Sequence, residues 1–306
     1  MSTRRTADFT QGSIPRHLAQ FSLPLLVGNV FQALYNAVDS MWVGRFLGPD
    51  ALAAVSVGFP VIFALVSLVM GFAMAATVLV SQYSGAGRMD MVRRAAGNSL
   101  TMMVVSAVLV SILGVVFNRE ILGLINTPPE IIGLASGYLN VFFSGMIFMF
   151  IYNTAGGILR GLGDSKTPVI YLVYSTVINI VLDPILIFGF GPIPKMGVMG
   201  AAAATVIAQA VAAVLTVHYL RRGTKVIDWE PRSFKPDREL TLQTLRIGIP
   251  AGMQFTVVSF SALVVGAIVN AFGKTVVAGF GAASRVELFA FFPAMSFGIA
   301  VSSLAG

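Results

Sequence analysis

Long stretches without a single Asp, Glu, Lys or Arg recur along the chain, at 17–38, 51–87, 95–118, 131–159, 167–182, 184–194, 196–220, 247–273 and 288–306. Several exceed the ~20 apolar residues that cross a bilayer as a helix. Joining the two stretches divided only by Asp183 leaves eight. In hydrocarbon an open sheet edge or a lipid-facing loop leaves backbone groups unpaired, so each stretch predicts an α-helix. The expected fold class is an all-α polytopic membrane protein. Composition agrees: 56% of the 306 residues are hydrophobic and 11% charged, where a soluble domain carries roughly 25% charged residues.

The basic residues then assign sides. With the N-terminus in the cytoplasm, the segments facing inward hold fifteen of the twenty Lys and Arg, and Arg45, Arg119, Lys195 and Lys274 face outward. That asymmetry follows the positive-inside rule and predicts a cytoplasmic N-terminus. It also accounts for the net charge of +7 without invoking nucleic acid. Residues 1–16 are polar and show no cleavable signal peptide. One segment stands apart: 221–246 carries eleven charges of both signs, with Trp229, Pro231 and Pro236. It reads as a cytoplasmic linker between a six-helix unit at 17–220 and a second unit starting at 247.

A weak internal repeat supports that division. A shift of about 225 positions sets Ile249-Pro250-Ala251 near Leu23-Pro24-Leu25, Ala271-Phe272-Gly273 on Phe46-Leu47-Gly48, and 298–306 on 73–81. Six spans separate the copies, and an even number returns the chain to the same side, so the copies are expected to be parallel. The second copy holds only two spans by Gly306. The expectation is a C-terminally truncated chain that lacks about four helices of a repeat closing near twelve.

Charged groups at bilayer depth are expensive and are functional candidates by default. Four are present: Asp39, Asp183, Arg285 and Glu287. Asn29, Gln32, Asn36 and Asp39 are spaced 3, 4 and 3 apart, along one helical face, with Tyr35 beside them. Such a stripe suits the wall of an aqueous cavity. Asn179 and Asp183 are four apart, and Pro184 cannot donate to the carbonyl of Ile180. The freed carbonyl, the amide oxygen and the carboxylate are hard donors that suit Na+ or an exchangeable proton. At ~1.5 Å per residue, Asp39, Tyr138, Asp183 and Thr205 fall in one layer about 8 to 12 Å below the outer surface. Asn153 lies deeper. Arg285 and Glu287, two residues apart, point about 200° from each other on a helix and need separate partners.

Other chemistries recede. The absence of cysteine removes disulfides, thiolate metal sites and cysteine nucleophiles. His17 and His218 sit at the ends of apolar stretches, where a solvated imidazole is the ordinary reading. The stretch Arg160-Gly161-Leu162-Gly163-Asp164-Ser165-Lys166-Thr167-Pro168 lacks the spacing of a phosphate loop and predicts a tight turn between helices.

That turn, together with Asn179-Ile180-Val181-Leu182-Asp183-Pro184, resembles the multidrug and toxic compound extrusion (MATE) family. So do Pro24, the stretch from Asp39 to Gly44, and Ala282 to Glu287. The resemblance covers nearly the whole chain from about residue 15. It implies twelve helices in two six-helix lobes and export of organic, often cationic, compounds in exchange for Na+ or H+, from a multi-pass position in the bacterial inner membrane. It implies no other cofactor and no enzymatic activity; the protein is expected to be monomeric. In the branch similar to the DNA-damage-inducible F proteins, the cation site carries onto Tyr35, Asp39, Tyr138, Asn179, Asp183 and Thr205, with Asn153 as a further polar position. Na+ would sit at Asp39, Asn179 and Asp183. In the NorM-like branch an acid is expected on helix seven, near Val258, and that span holds none. A lipid-linked oligosaccharide flippase of the same superfamily would present several Arg in its cavity, and an intramembrane aspartyl protease would rest on the two carboxylates alone.

Overall fold

The computed structural model describes residues 13–224, 226–227, 235–270, 272 and 274–305. Eight helices follow one another: α1 (Ile14–Phe46), α2 (Pro49–Gly85), α3 (Met89–Leu124), α4 (Pro129–Gly161), α5 (Lys166–Phe188), α6 (Val198–Arg222), α7 (Arg238–Asn270) and α8 (Lys274–Leu304). Five of them, α1, α3, α4, α5 and α6, are long and apolar enough to cross a bilayer, while Val69–Gly85 of α2 and Ala290–Leu304 of α8 form shorter apolar stretches.

The helices overrun the charge-free stretches that predict them. At ~1.5 Å per residue, the 33 residues of α1 reach beyond the ~30 Å hydrocarbon layer. Their ends therefore continue into the polar interface, where charges are tolerated. Asp39, just past a charge-free stretch, is in consequence an interior residue of α1. The linker is shorter than its charge pattern suggests, because α6 continues to Arg222 and α7 already starts at Arg238. The Asp237 carboxylate starts α7 by accepting the backbone N–H of Glu239 (3.0 Å) and of Leu240 (3.3 Å), so the last charges of the expected linker are helical. Glu239 thereby gives α7 one acid, in its first turn. Residues 225 and 228–234 of the expected linker, Trp229 and Pro231 among them, lie outside the described residues.

The exterior is apolar, as a lipid-facing surface requires. Along α3, Val105, Leu109, Ile112 and Val116 are all more than half exposed. The interior closes through small residues. Gly157 and Gly161 of α4 are four apart, and a Cβ on Gly157 would stand 2.5 Å from the carbonyl oxygen of Ala73 on α2. Such close backbone approach substitutes for the hydrophobic drive that lipid cannot supply. The Thr77 hydroxyl lies 3.0 Å from the carbonyls of both Ala73 and Gly157 and ties the two helices. Phe143, Met146 and Phe150 of α4 belong to one buried cluster, and Leu79, Ile158, Leu220 and Leu240 to a second.

α1 packs on α5, α5 on α6 and α6 on α4. α7 lies against α2, and α8 against α1. α1 and α7 each span 33 residues and each contain a proline, Pro24 and Pro250.

Candidate functional site

Four helices deliver polar side chains to one buried place. α1 supplies Tyr35 and Asp39, α4 supplies Tyr138, α5 supplies Asn179 and Asp183, and α6 supplies Thr205. The Tyr35 hydroxyl faces Thr205, and Asp39, Asp183 and Tyr138 lie within electrostatic reach of it. Tyr138 likewise senses both carboxylates. Asn179 Nδ2 donates to Asp183 Oδ1 at 3.2 Å, as its four-residue spacing on α5 allows. Asn179 and Asp183 are fully buried, and Tyr35 and Tyr138 are 4% and 7% exposed. Asp39 is half-buried.

The cluster leaves acceptors over. Asp39 Oδ1, Asn179 Oδ1 and Asp183 Oδ2 are buried and make no hydrogen bond among the described residues. Pro184, inside α5, has no N–H to donate to the Ile180 carbonyl. Leaving a buried acceptor unpaired costs about 1–3 kcal/mol, and several in one place describe a site built for something electropositive. No group of three or more His, Cys, Asp and Glu occurs among the described residues. Two carboxylates with neutral oxygens form a hard donor set that fits a monovalent cation or a proton.

Several residues singled out in the sequence stand elsewhere. Asn29 Nδ2 donates to Ser296 Oγ of α8 at 3.1 Å, so this end of the α1 stripe joins helices. Gln32 is half-buried and Asn36 is exposed. Asn153 donates back to the Met149 carbonyl at 2.8 Å and lies fifteen residues beyond Tyr138 on α4, about 22 Å along the axis. Glu287 is exposed on α8, and the side chain of Arg285 lies outside the described residues.

Three residues beside the cluster went unmarked in the sequence. Trp42 is three positions beyond Asp39, with its Nε1 unpaired and its ring 5.1 Å from that of Phe46 and 6.1 Å from that of Phe188. Ser175, four before Asn179, and Gln209, four after Thr205, each bury an unpaired oxygen. Helical spacing from the cluster residues is the signal that finds all three.

Helical packing and this site together define a multi-pass membrane protein with a buried, oxygen-rich pocket. The sequence matches the family described as MatE over residues 24–185, more than half of the chain. It is 38% identical over 303 residues to "Probable multidrug resistance protein YoeA" of Bacillus subtilis (strain 168), an alignment covering 98% of this chain and 65% of that protein. Over 281 residues it is 26% identical to "Multidrug export protein MepA" of Staphylococcus aureus (strain MRSA252), covering 92% of this chain and 61% of that one. A solved structure of MATE in complex with MaD3S superposes with a TM-score of 0.90 at 28% identity, over 99% of this chain and 68% of the other. A MOP superfamily transporter from Pyrococcus furiosus superposes at 0.88 with 27% identity, over 99% and 67%. The chain belongs to the MATE family. It spans 65% and 61% of the length of these two curated relatives.

Proposed function

We propose that this chain is part of a secondary active multidrug exporter that moves organic, often cationic, compounds outward in exchange for Na+ or H+. Its N-terminus is cytoplasmic in the inner membrane, and its cation site follows the branch similar to the DNA-damage-inducible F proteins. Tyr35, Asp39, Tyr138, Asn179, Asp183 and Thr205 form the coupling site. The observation that carries the reading is a pair of carboxylates, Asp39 and Asp183, in one buried cluster with unpaired oxygens.

Two carboxylates in a poorly solvated layer repel each other and cannot both be charged without a counter-cation. A bound cation neutralises the pair and draws α1 and α5 together. A cationic substrate offers the same neutralisation, so the two compete for one charge. Exchange follows if each stabilises a different packing of the helices, since a ligand shifts a conformational equilibrium only by its differential affinity for the two states. Absence of an acid at Val258, which is exposed on α7, leaves the work to the pair on α1 and α5. The names of YoeA and MepA support drug export as the process served. The reading calls for no catalysis.

Trp42, one turn from Asp39, supplies the readout. Trp229 is the other of the two tryptophans, so a Trp229→Phe background isolates the signal. In purified chain in nanodiscs, Na+ or acid should change Trp42 fluorescence, and tetraphenylphosphonium should displace the cation competitively. Asp39→Asn and Asp183→Asn should each weaken both responses at least about tenfold, a loss of roughly 1.4 kcal/mol. Unaltered titrations in both variants would refute the coupling role.

A further inference from the structure

The coupling pair sits in the outer half of its helices, and a cation exchanged across the membrane must also reach the inner side. α5 and α6 run antiparallel, and two contacts fix their register. At the outer end a Cβ on Gly200 would stand 2.5 Å from the Leu186 carbonyl oxygen. At the inner end the rings of Tyr171 and Tyr219 meet edge-on at 6.4 Å. Between these points the register sets Asp183 level with Thr205 and Asn179 level with Gln209. Ser175 comes one turn further in, level with the buried, small Ala212 and Ala213.

Polar residues follow this line on both helices. On α5, Tyr171, Ser175, Asn179 and Asp183 recur every fourth position, about 6 Å apart. On α6, Thr205 and Gln209 answer Asp183 and Asn179, and Tyr219 meets Tyr171, while Thr216 donates to the Ala212 carbonyl of its own helix at 2.7 Å. If this seam were interhelical glue, its groups would bond to one another. Instead Ser175 Oγ, Asn179 Oδ1 and Gln209 Oε1 are all buried without a hydrogen bond among the described residues. Ser175 is fully buried. Thr176, its neighbour, shows the ordinary alternative, donating to the Leu172 carbonyl at 2.9 Å.

We propose that the α5–α6 seam is the cytoplasmic route of a sodium-sized coupling cation, with Ser175, Asn179 and Gln209 as an inward station one to two turns below Asp183. This rests on the reading of Asp39 and Asp183 as the coupling pair and deepens it. Neutral amide and hydroxyl oxygens take up no extra proton at neutral pH, but they replace hydration oxygens around a hard cation. The route is separate from any path of the organic substrate between the two helix sets, so a small ion can enter without a bulky one following it.

The cysteine-free sequence makes the test direct. Ser175→Cys and Gln209→Cys are introduced singly into the full chain, together with Trp229→Phe, and exposed to a positively charged methanethiosulfonate from either side of oriented vesicles. Both cysteines should react from the cytoplasmic side. Na+ at ten times its Kd should slow the reaction about tenfold by occupancy, choline should not, and Asp183→Asn should remove the slowing. Val181→Cys, on the lipid-exposed side of α5, should stay unlabelled, since thiolates do not form in hydrocarbon. Failure of both cysteines to react, or reaction indifferent to Na+ while Trp42 still reports Asp183-dependent Na+ binding, overturns the seam and leaves the coupling pair standing. Loss of the Asp183-dependent Trp42 response to Na+ removes the sodium pair itself, and the seam with it.

Discussion

Asp183 is fully buried, receives one hydrogen bond from Asn179 and leaves its second oxygen without one. Without a cation, such a group destabilises the fold it belongs to, because desolvation of a carboxylate is repaid only by a partner. Asp183→Asn is therefore expected to match or exceed the parent chain in thermal stability when Na+ is absent. A ligand that binds only the folded chain adds about 2.7 kcal/mol at a hundredfold excess over its Kd, and that gain should vanish in the variant. Denaturation midpoints in detergent, with NaCl against choline chloride, measure both terms. A variant less stable in choline would mean that the carboxylate serves the fold and not a ligand. Asp164 shows the opposite condition. Its Oδ1 accepts the N–H of Lys166 (3.1 Å) and of Thr167 (2.9 Å), and its Oδ2 accepts the Thr167 hydroxyl at 2.6 Å. Every bond here serves the start of α5, and Asp164→Ala should cost about 1 kcal/mol without altering cation binding.

At the scale of elements, what holds α2 to α4 is the absence of side chains. A Cβ on Gly161 would stand 2.7 Å from the Thr77 carbonyl oxygen, whereas one on Gly123 of α3 meets nothing within 4 Å. Gly161→Val should cost about 1–3 kcal/mol through forced separation of the two helices, and Gly123→Ala should be neutral or stabilising; midpoints of thermal unfolding in one detergent compare them. The same contrast explains what could be read from sequence. Charge-free stretches announce helices well, because any charge in hydrocarbon is costly, and all eight appear. They mark only the apolar middle of each helix, so the extensions of α1 past Asp39 and of α7 back to Arg238 were hidden. The four-residue spacings gave Asn179 with Asp183 and, by depth, their level with Asp39, Tyr138 and Thr205. What spacing could not give was the direction each stripe faces: Asn29 turns to Ser296 of α8, and Asn153 bonds to its own helix. A helical face has no partner until packing supplies one.

At the scale of the molecule, the first turn of α7 is fastened to the helices that precede the linker. Arg94 of α3 pairs with Asp237, and Asn98 Oδ1 accepts both the Asp237 N–H (2.9 Å) and the Thr241 hydroxyl (3.1 Å). Tyr83 of α2 adds a bond to Gln243 at 3.1 Å, and Ser303 of α8 donates to the Arg160 carbonyl at 2.5 Å. These ties all gather at one end of the helices, so α7 and α8 are closed against α2, α3 and α4 there, an arrangement that the proposed exchange cycle would have to break. The Asp237 carboxyl is held below the usual carboxylate range, first by the Leu240 N–H, then by Arg94 and the Glu239 N–H. A depressed carboxyl contributes its stabilisation above its unfolded value and loses it as pH falls through the folded one. The fastening should therefore be intact at neutral pH and loosen only below about pH 4, the ordinary carboxylate range. Hydrogen-exchange protection factors for Leu240 to Gln243, corrected for intrinsic rates, should stay level from pH 8 to about 4 and then fall. Asp237→Asn should show the low protection already at neutral pH. Protection that declines in step with a histidine, between about pH 7 and 6, would place the fastening on another group and remove Asp237 from it.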